Sequence, residues 1–175
     1  MIIKTIHTLF MTFTFMTNLR INTNSQDRTE SLSLSNHPIQ QSPLVLISEI
    51  NDENRLMLKT LLETWGYSVE VAENGDDTIR KAQNRKPDLI IIDINLSFVD
   101  GFVTLCRIRK LETLRGVPII FTSGHAQPEF RNLALAFGSS DFLVKPLDFD
   151  QLEKIIDKFT NLSVNTRTNY EKFLI

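Results

Sequence analysis

Apolar residues recur through the middle of the chain in short continuous runs, and between the runs they recur every three or four positions. The runs LVLIS, YSVEV, DLIIID, PIIFT and DFLV are short and rich in β-branched residues, so they predict strands at 44–48, 67–71, 88–93, 118–122 and 141–144. The stretches between them predict helices at 53–65, 76–85, 101–111 and 127–137, with Leu56, Leu61 and Leu62 facing inward in the first. Gly66 and Gly138 are placed to cap the first and fourth of these. A fifth helix follows Asp148, whose spacing to Gln151 resembles a capping box, and Leu152, Ile155, Ile156 and Phe159 form its buried stripe. Strands alternating with helices predict an α/β domain with a parallel sheet. Right-handed crossovers put helices on both faces, as a doubly wound sheet of strand order 2-1-3-4-5.

The flanks carry no such pattern. Residues 1–20 are apolar but diluted by threonine and interrupted by Lys4 and His7, too short and too polar for a bilayer span, and no small-residue cleavage site follows. Residues 18–43 are rich in Ser, Thr, Asn and Gln and have little to bury, which predicts a disordered linker. The expected organisation is an extension over 1–43, one folded domain over 44–160 and a flexible tail over 161–175 that ends in the apolar patch YEKFLI. A length of 175 residues suits one domain.

Charge and cysteine narrow the function class. The 19 basic and 21 acidic residues are interspersed, for a net charge of −2, so no basic stripe points to nucleic acid. The single cysteine, Cys106, cannot close an intrachain disulfide and fits a reducing, cytoplasmic setting, where it is expected to be a small buried apolar residue. No zinc-ligand spacing is present, and His125 is expected to face solvent.

Chemistry enters where the strands end. The runs stop at Glu49, Asp93, Ser123 and Lys145, and the carboxyl ends of parallel strands meet at one crevice, here between the first and third strands. An aspartate, a hydroxyl and a lysine at one edge suit phosphoryl transfer to a carboxylate, with Asp93 as nucleophile and the other two holding phosphoryl oxygens.

The ordered set VLISE, AENG, IIIDINLSFVDG, PIIFTSGHA and DFLVKP resembles the receiver domain of bacterial response regulators over roughly 44–160, a flavodoxin-like (βα)5 fold. That resemblance implies that Asp93 is a phosphoacceptor served by a sensor histidine kinase or a histidine phosphotransfer protein. It implies a site for Mg²⁺ at Glu49, Asp93 and the backbone carbonyl of Asn95. Ser123 matches the hydroxyl that contacts the phosphoryl group, with Gly124 as its small neighbour. Lys145 matches the family lysine, with Pro146 suggesting a cis peptide beside it. Phe142 matches a switch aromatic, although core packing alone accounts for an aromatic in that strand. Asp100 and Gly101 match the pair that ends the active-site loop. Output is then by contact with a downstream protein, and pairing of two copies as a homodimer is implied by analogy; no catalytic or DNA-binding module remains in the chain.

Two positions depart from the family pattern. Where a second acid follows the first strand, this chain has Ile50, which offers a hard cation no oxygen. Losing one charged ligand costs roughly 1.5–3 kcal/mol, about ten- to a hundredfold in affinity, so Mg²⁺ binding is expected to be weak. Asp52 is expected to N-cap the first helix rather than replace that ligand. Leu96-Ser97 stand where Met-Pro is common, a mild change. Three readings compete: a stand-alone, non-enzymatic receiver; a pseudo-receiver that binds partners without phosphorylation because of Ile50; and a small phosphate-ester hydrolase, which lacks a nearby general acid or a cap over its site.

Overall fold

The computed structural model describes residues 42–96 and 98–160, with the side chains of 98–100 left aside. The expected extension before residue 42, the tail after residue 160, Ser97 and the Asp100 side chain lie outside the described residues. Five strands and five helices alternate: β1 (Leu44–Ser48), α1 (Asp52–Thr64), β2 (Ser68–Ala72), α2 (Gly75–Asn84), β3 (Leu89–Asp93), α3 (Phe98–Lys110), β4 (Ile119–Ser123), α4 (Pro128–Ala136), β5 (Asp141–Val144) and α5 (Phe149–Thr160). All neighbouring strands are parallel and the order is β2-β1-β3-β4-β5, the flavodoxin-like (βα)5 arrangement expected from the pattern.

The two faces of the sheet sort by strand alternation. Val45, Ile47, Leu89, Ile91, Ile120 and Leu143 pack under Leu58 and Leu62 of α1 and Leu152 and Ile156 of α5. Leu46, Ile90, Ile92, Ile119, Phe121 and Phe142 pack under α2, α3 and α4 through Ile79, Ala82, Leu105, Ile108 and Ala134. Because β1, β3 and β4 are buried on both faces, their residues read as unbroken apolar runs. Full burial of each such Leu, Ile or Phe contributes about 1.5–3 kcal/mol, so the sheet is the rigid part on which its terminal residues are mounted.

Local signals set the helix ends. Asn51 and Asn74 accept from the amides of Asn54 and Asp77, each at 2.9 Å, and so cap α1 and α2. Gly66 and Gly138 follow the ends of α1 and α4 with φ of 91° and 97°, a conformation that favours glycine. Asp148 accepts from the amides of Asp150 and Gln151 at 3.0 and 3.1 Å, as a cap before α5 should.

Three expectations are corrected. Leu56 is 63% exposed, and the buried stripe of α1 runs through Leu58 and Leu62. A step of two residues turns a helix by about 200°, so Leu56 stands opposite Leu58. Asn51, not Asp52, is the cap of α1; Asp52 is its first residue and pairs with Arg55. Cys106 is half-buried rather than buried.

Candidate functional site

At the carboxyl edge the ladder continues past the strands and pins the backbone of the terminal residues. The Glu49 amide donates to the Ala72 carbonyl at 3.1 Å, the Ile94 amide to Thr122 at 2.9 Å, and the Lys145 amide to Ser123 at 2.7 Å. Strand alternation then decides which side chains meet. Glu49, Asp93 and Lys145 are in phase with Ile47, Ile91 and Leu143, whose face is covered by α1 and α5. Ser123 is in phase with Phe121 and so belongs to the opposite face, above Phe142, which pairs with Phe121 in register.

The three charged residues form one bonded group. Lys145 Nζ donates to Asp93 Oδ2 at 2.5 Å and to Glu49 Oε2 at 2.7 Å. Glu49 is 2% and Asp93 3% exposed, so two buried carboxylates share one ammonium. Their remaining oxygens are also bonded: Glu49 Oε1 accepts from the Asn51 amide and Asp93 Oδ1 from the Asn95 amide, each at 3.0 Å. Burial opposes the charge on Lys145, but hydrogen bonds to Asp93 and Glu49 and their negative charges outweigh it and raise its pKa above 10.5. An open cleft of about 270 Å³ borders Glu49 and Lys145, walled by Met57 and Leu58 of α1 and by Pro146, Leu147 and Phe149. The Lys145–Pro146 peptide is cis.

The other expected residues lie around this group. Ser123 is fully buried and its Oγ accepts from the His125 amide at 3.0 Å. A hydroxyl that accepts one bond keeps its own proton available for donation. Gly124 is exposed beside it, and a Cβ there would stand 3.9 Å from the Asn95 side chain. Phe142 is buried and turned inward. Gly101 packs α3 directly on the loop after β3: a Cβ there would meet the Ile94 Cα at 3.3 Å and the Asp93 carbonyl at 3.5 Å. His125 is exposed, with its ring against Phe130 at 4.9 Å.

The donor set fits Mg²⁺ in a reduced form. Mg²⁺ is commonly held by one or two carboxylates with water completing its shell, and Glu49 and Asp93 supply two that already flank one cation, the Lys145 ammonium. Ile50 is 56% exposed and supplies nothing, and among the described residues no group of three or more His, Cys, Asp or Glu side chains is placed to hold a metal. Asp52 stays with Arg55.

Two residues at the site were not anticipated from the sequence. Asn51 both caps α1 and donates its amide to Glu49, and its residue type and spacing to Asn54 were a readable capping signal. Arg55 donates to the carbonyls of Glu49 and Ile50, which no motif announces. No helix among the described residues is long and apolar enough to cross a membrane.

Known proteins share this domain's sequence pattern and fold. Residues 45–157 match the family model of the response regulator receiver domain. The transcriptional regulatory protein ZraR of Salmonella typhimurium is 32% identical over 114 residues, covering 65% of this chain and 25% of ZraR, so the chain spans about a quarter of the length of that relative. The chemotaxis protein CheY4 of Vibrio cholerae superposes with a TM-score of 0.64 at 29% identity, covering 67% of this chain and 98% of CheY4. The receiver domain of the sensor histidine kinase PA1611 of Pseudomonas aeruginosa, whose structure holds a magnesium ion in its active-site cleft, gives 0.63 at 29% identity, covering 69% of this chain and 98% of that domain.

Proposed function

The chain belongs to the response regulator receiver domain family of two-component signalling, and on that premise we propose that its 44–160 unit acts as a single-domain response regulator whose phosphoacceptor is Asp93. The observation that carries this is the group at the strand ends, where a buried aspartate is held by the lysine that would bind the arriving phosphoryl group. An oxygen of Asp93 attacks the phosphorus of a phosphohistidine on a sensor kinase or phosphotransfer protein. The new O–P bond forms as the N–P bond breaks, and the histidine nitrogen leaves with the electron pair. Lys145 turns from the carboxylate toward a phosphoryl oxygen, and the Ser123 hydroxyl donates to another. Bound Mg²⁺ on Glu49, Asp93 and the Asn95 carbonyl would offset the added negative charge, weakly because Ile50 contributes no ligand.

The output follows from charge and space. A phosphoryl group brings about −1.5 to −2 charges, enough to reorient Ser123 and the loop it holds. Phe142 lies on the same face as Ser123, so movement of that hydroxyl frees room for the ring, and the α4–β5–α5 surface passes the change to a protein partner or a second copy. The role is that of a cytoplasmic signalling module and not of an enzyme acting on small substrates.

Two observations favour a second reading. Lys145 alone already neutralises much of the two-carboxylate site, and Ile50 faces solvent instead of the cleft. A pseudo-receiver that docks partners without phosphorylation would have this resting state. Incubation with a histidine-phosphorylated phosphotransfer protein separates the two. The receiver reading expects label to leave the histidine and appear on the parent but not on Asp93→Ala; retention of all label on the histidine sinks it.

A further inference from the structure

We infer that Arg55 is a positioning residue for this site, bracing the turn that aims Glu49 at Lys145; the inference rests on the proposed role of Asp93. Arg55 sits in the first turns of α1, yet its side chain is only 13% exposed. A cation near a helix N-terminus opposes the helix dipole, so its retention there requires compensation from specific acceptors.

Those acceptors are on the turn itself. Nη1 donates to the Glu49 carbonyl at 2.7 Å and to the Ile50 carbonyl at 3.2 Å. Nη2 pairs with Asp52 and lies 3.7 Å from Glu73, so its charge is balanced outside the cleft. One guanidinium nitrogen thus grips two successive peptides between the end of β1 and the cap of α1, while the other holds the acids beside them. From the other side the Asn51 amide holds Glu49 Oε1, leaving Oε2 directed at Lys145.

The brace matters more here than in a turn with two acids. Glu49 is the only carboxylate this turn offers, since Ile50 follows it, and a glutamate has one more rotatable bond than an aspartate to restrain. If the turn relaxes, no neighbour takes over the contact with Lys145. Arg55 therefore touches neither the phosphoryl group nor a bound cation, but decides where Glu49 stands.

Amide hydrogen exchange and phosphorylation on the full chain test this in the parent, Arg55→Ala and Arg55→Lys. In Arg55→Ala the Asn51 amide is expected to exchange about ten- to a hundredfold faster, the loss of one or two charge-assisted bonds, while the amides of Ile90, Ile91 and Ile92 keep their rates. Asp93 phosphorylation by a small phosphodonor with Mg²⁺ should slow in the same order, and Arg55→Lys should restore part of both because one ammonium reaches one carbonyl. An unchanged Asn51 rate, or equal acceleration across β3, overturns the inference, the latter by showing a purely structural role. If the parent takes up no phosphoryl group, the receiver reading fails, while the exchange rates still judge the brace.

Discussion

Lys145 Nζ lies 2.5 Å from Asp93 Oδ2, and the same ammonium lies 2.7 Å from Glu49, so one lysine is the counter-ion of two buried carboxylates. Removing one partner of a buried pair costs about 3–5 kcal/mol, and partial exposure of Lys145 lowers that to about 2–3 kcal/mol. Lys145→Met is therefore expected to unfold at clearly lower urea concentration than the parent near pH 7, with an unchanged m-value. A midpoint equal to the parent's would show that the ion group holds little of the fold together.

The same contact sets an alkaline limit. Because the Lys145 pKa is raised above its ordinary 10.5, its contribution to stability is complete below that pH and is lost as pH rises through the higher folded-state value. The difference in unfolding free energy between parent and Lys145→Met should stay flat from about pH 7 to about pH 10 and close above that. A gap that already closes near neutral pH would contradict the raised value.

Gly101 tests how tightly α3 is seated behind Asp93. Alanine in a helix gains about 1 kcal/mol over glycine, whereas crowding a packed site costs about 1–3 kcal/mol. A Cβ 3.3 Å from the Ile94 Cα meets backbone, which cannot swing aside as a side chain would. Gly101→Ala should thus lose up to about 2 kcal/mol in urea unfolding despite its better helix propensity. A more stable variant would mean that the loop after β3 yields easily.

Two arginines of one helix should behave differently. Arg109 donates to the carbonyls of Gly138, Arg115 and Val117 and ties α3 to the turns before β4 and β5. Arg107 makes an exposed pair with Asp76. Arg109→Ala is expected to cost about 2–3 kcal/mol, in line with bonds from a charged donor, and Arg107→Ala under about 1 kcal/mol. Thermal unfolding of the two variants side by side gives the comparison, and equal losses would refute it.

Much of this was legible from residues alone, for identifiable reasons. Runs such as LIIID have no helical interpretation of adequate length, and the strand they predict is within one residue of β3. Period two then carries Asp93 to the face of Ile91, which is why strand ends alone bring Glu49, Asp93 and Lys145 to one crevice. The phase of α1 was harder, because LMLKTLL offers apolar residues on two sides and only tertiary packing chooses Leu58 over Leu56. The cap fell one residue early for a similar reason: Asn51 and Asp52 are both good capping types, and the backbone geometry selects Asn51. The pairing of Arg55 with Asp52 has a readable spacing, but its grip on the turn left no trace, since the acceptors there are carbonyls and every residue has one. Side-chain pattern reports burial, period and local caps, but it is silent about which carbonyl a long side chain reaches.

Asp93 is proposed to accept a phosphoryl group even though Ile50 stands beside Glu49. Intact mass of the full chain after incubation with a small phosphodonor and Mg²⁺, beside Asp93→Ala and Ile50→Asp, tests it directly. A gain of one phosphoryl mass is expected in the parent, a faster gain in Ile50→Asp, where an added acid would tighten Mg²⁺ about ten- to a hundredfold, and none in Asp93→Ala. A gain in Ile50→Asp with none in the parent would rule out phosphorylation of the natural chain and make it a pseudo-receiver.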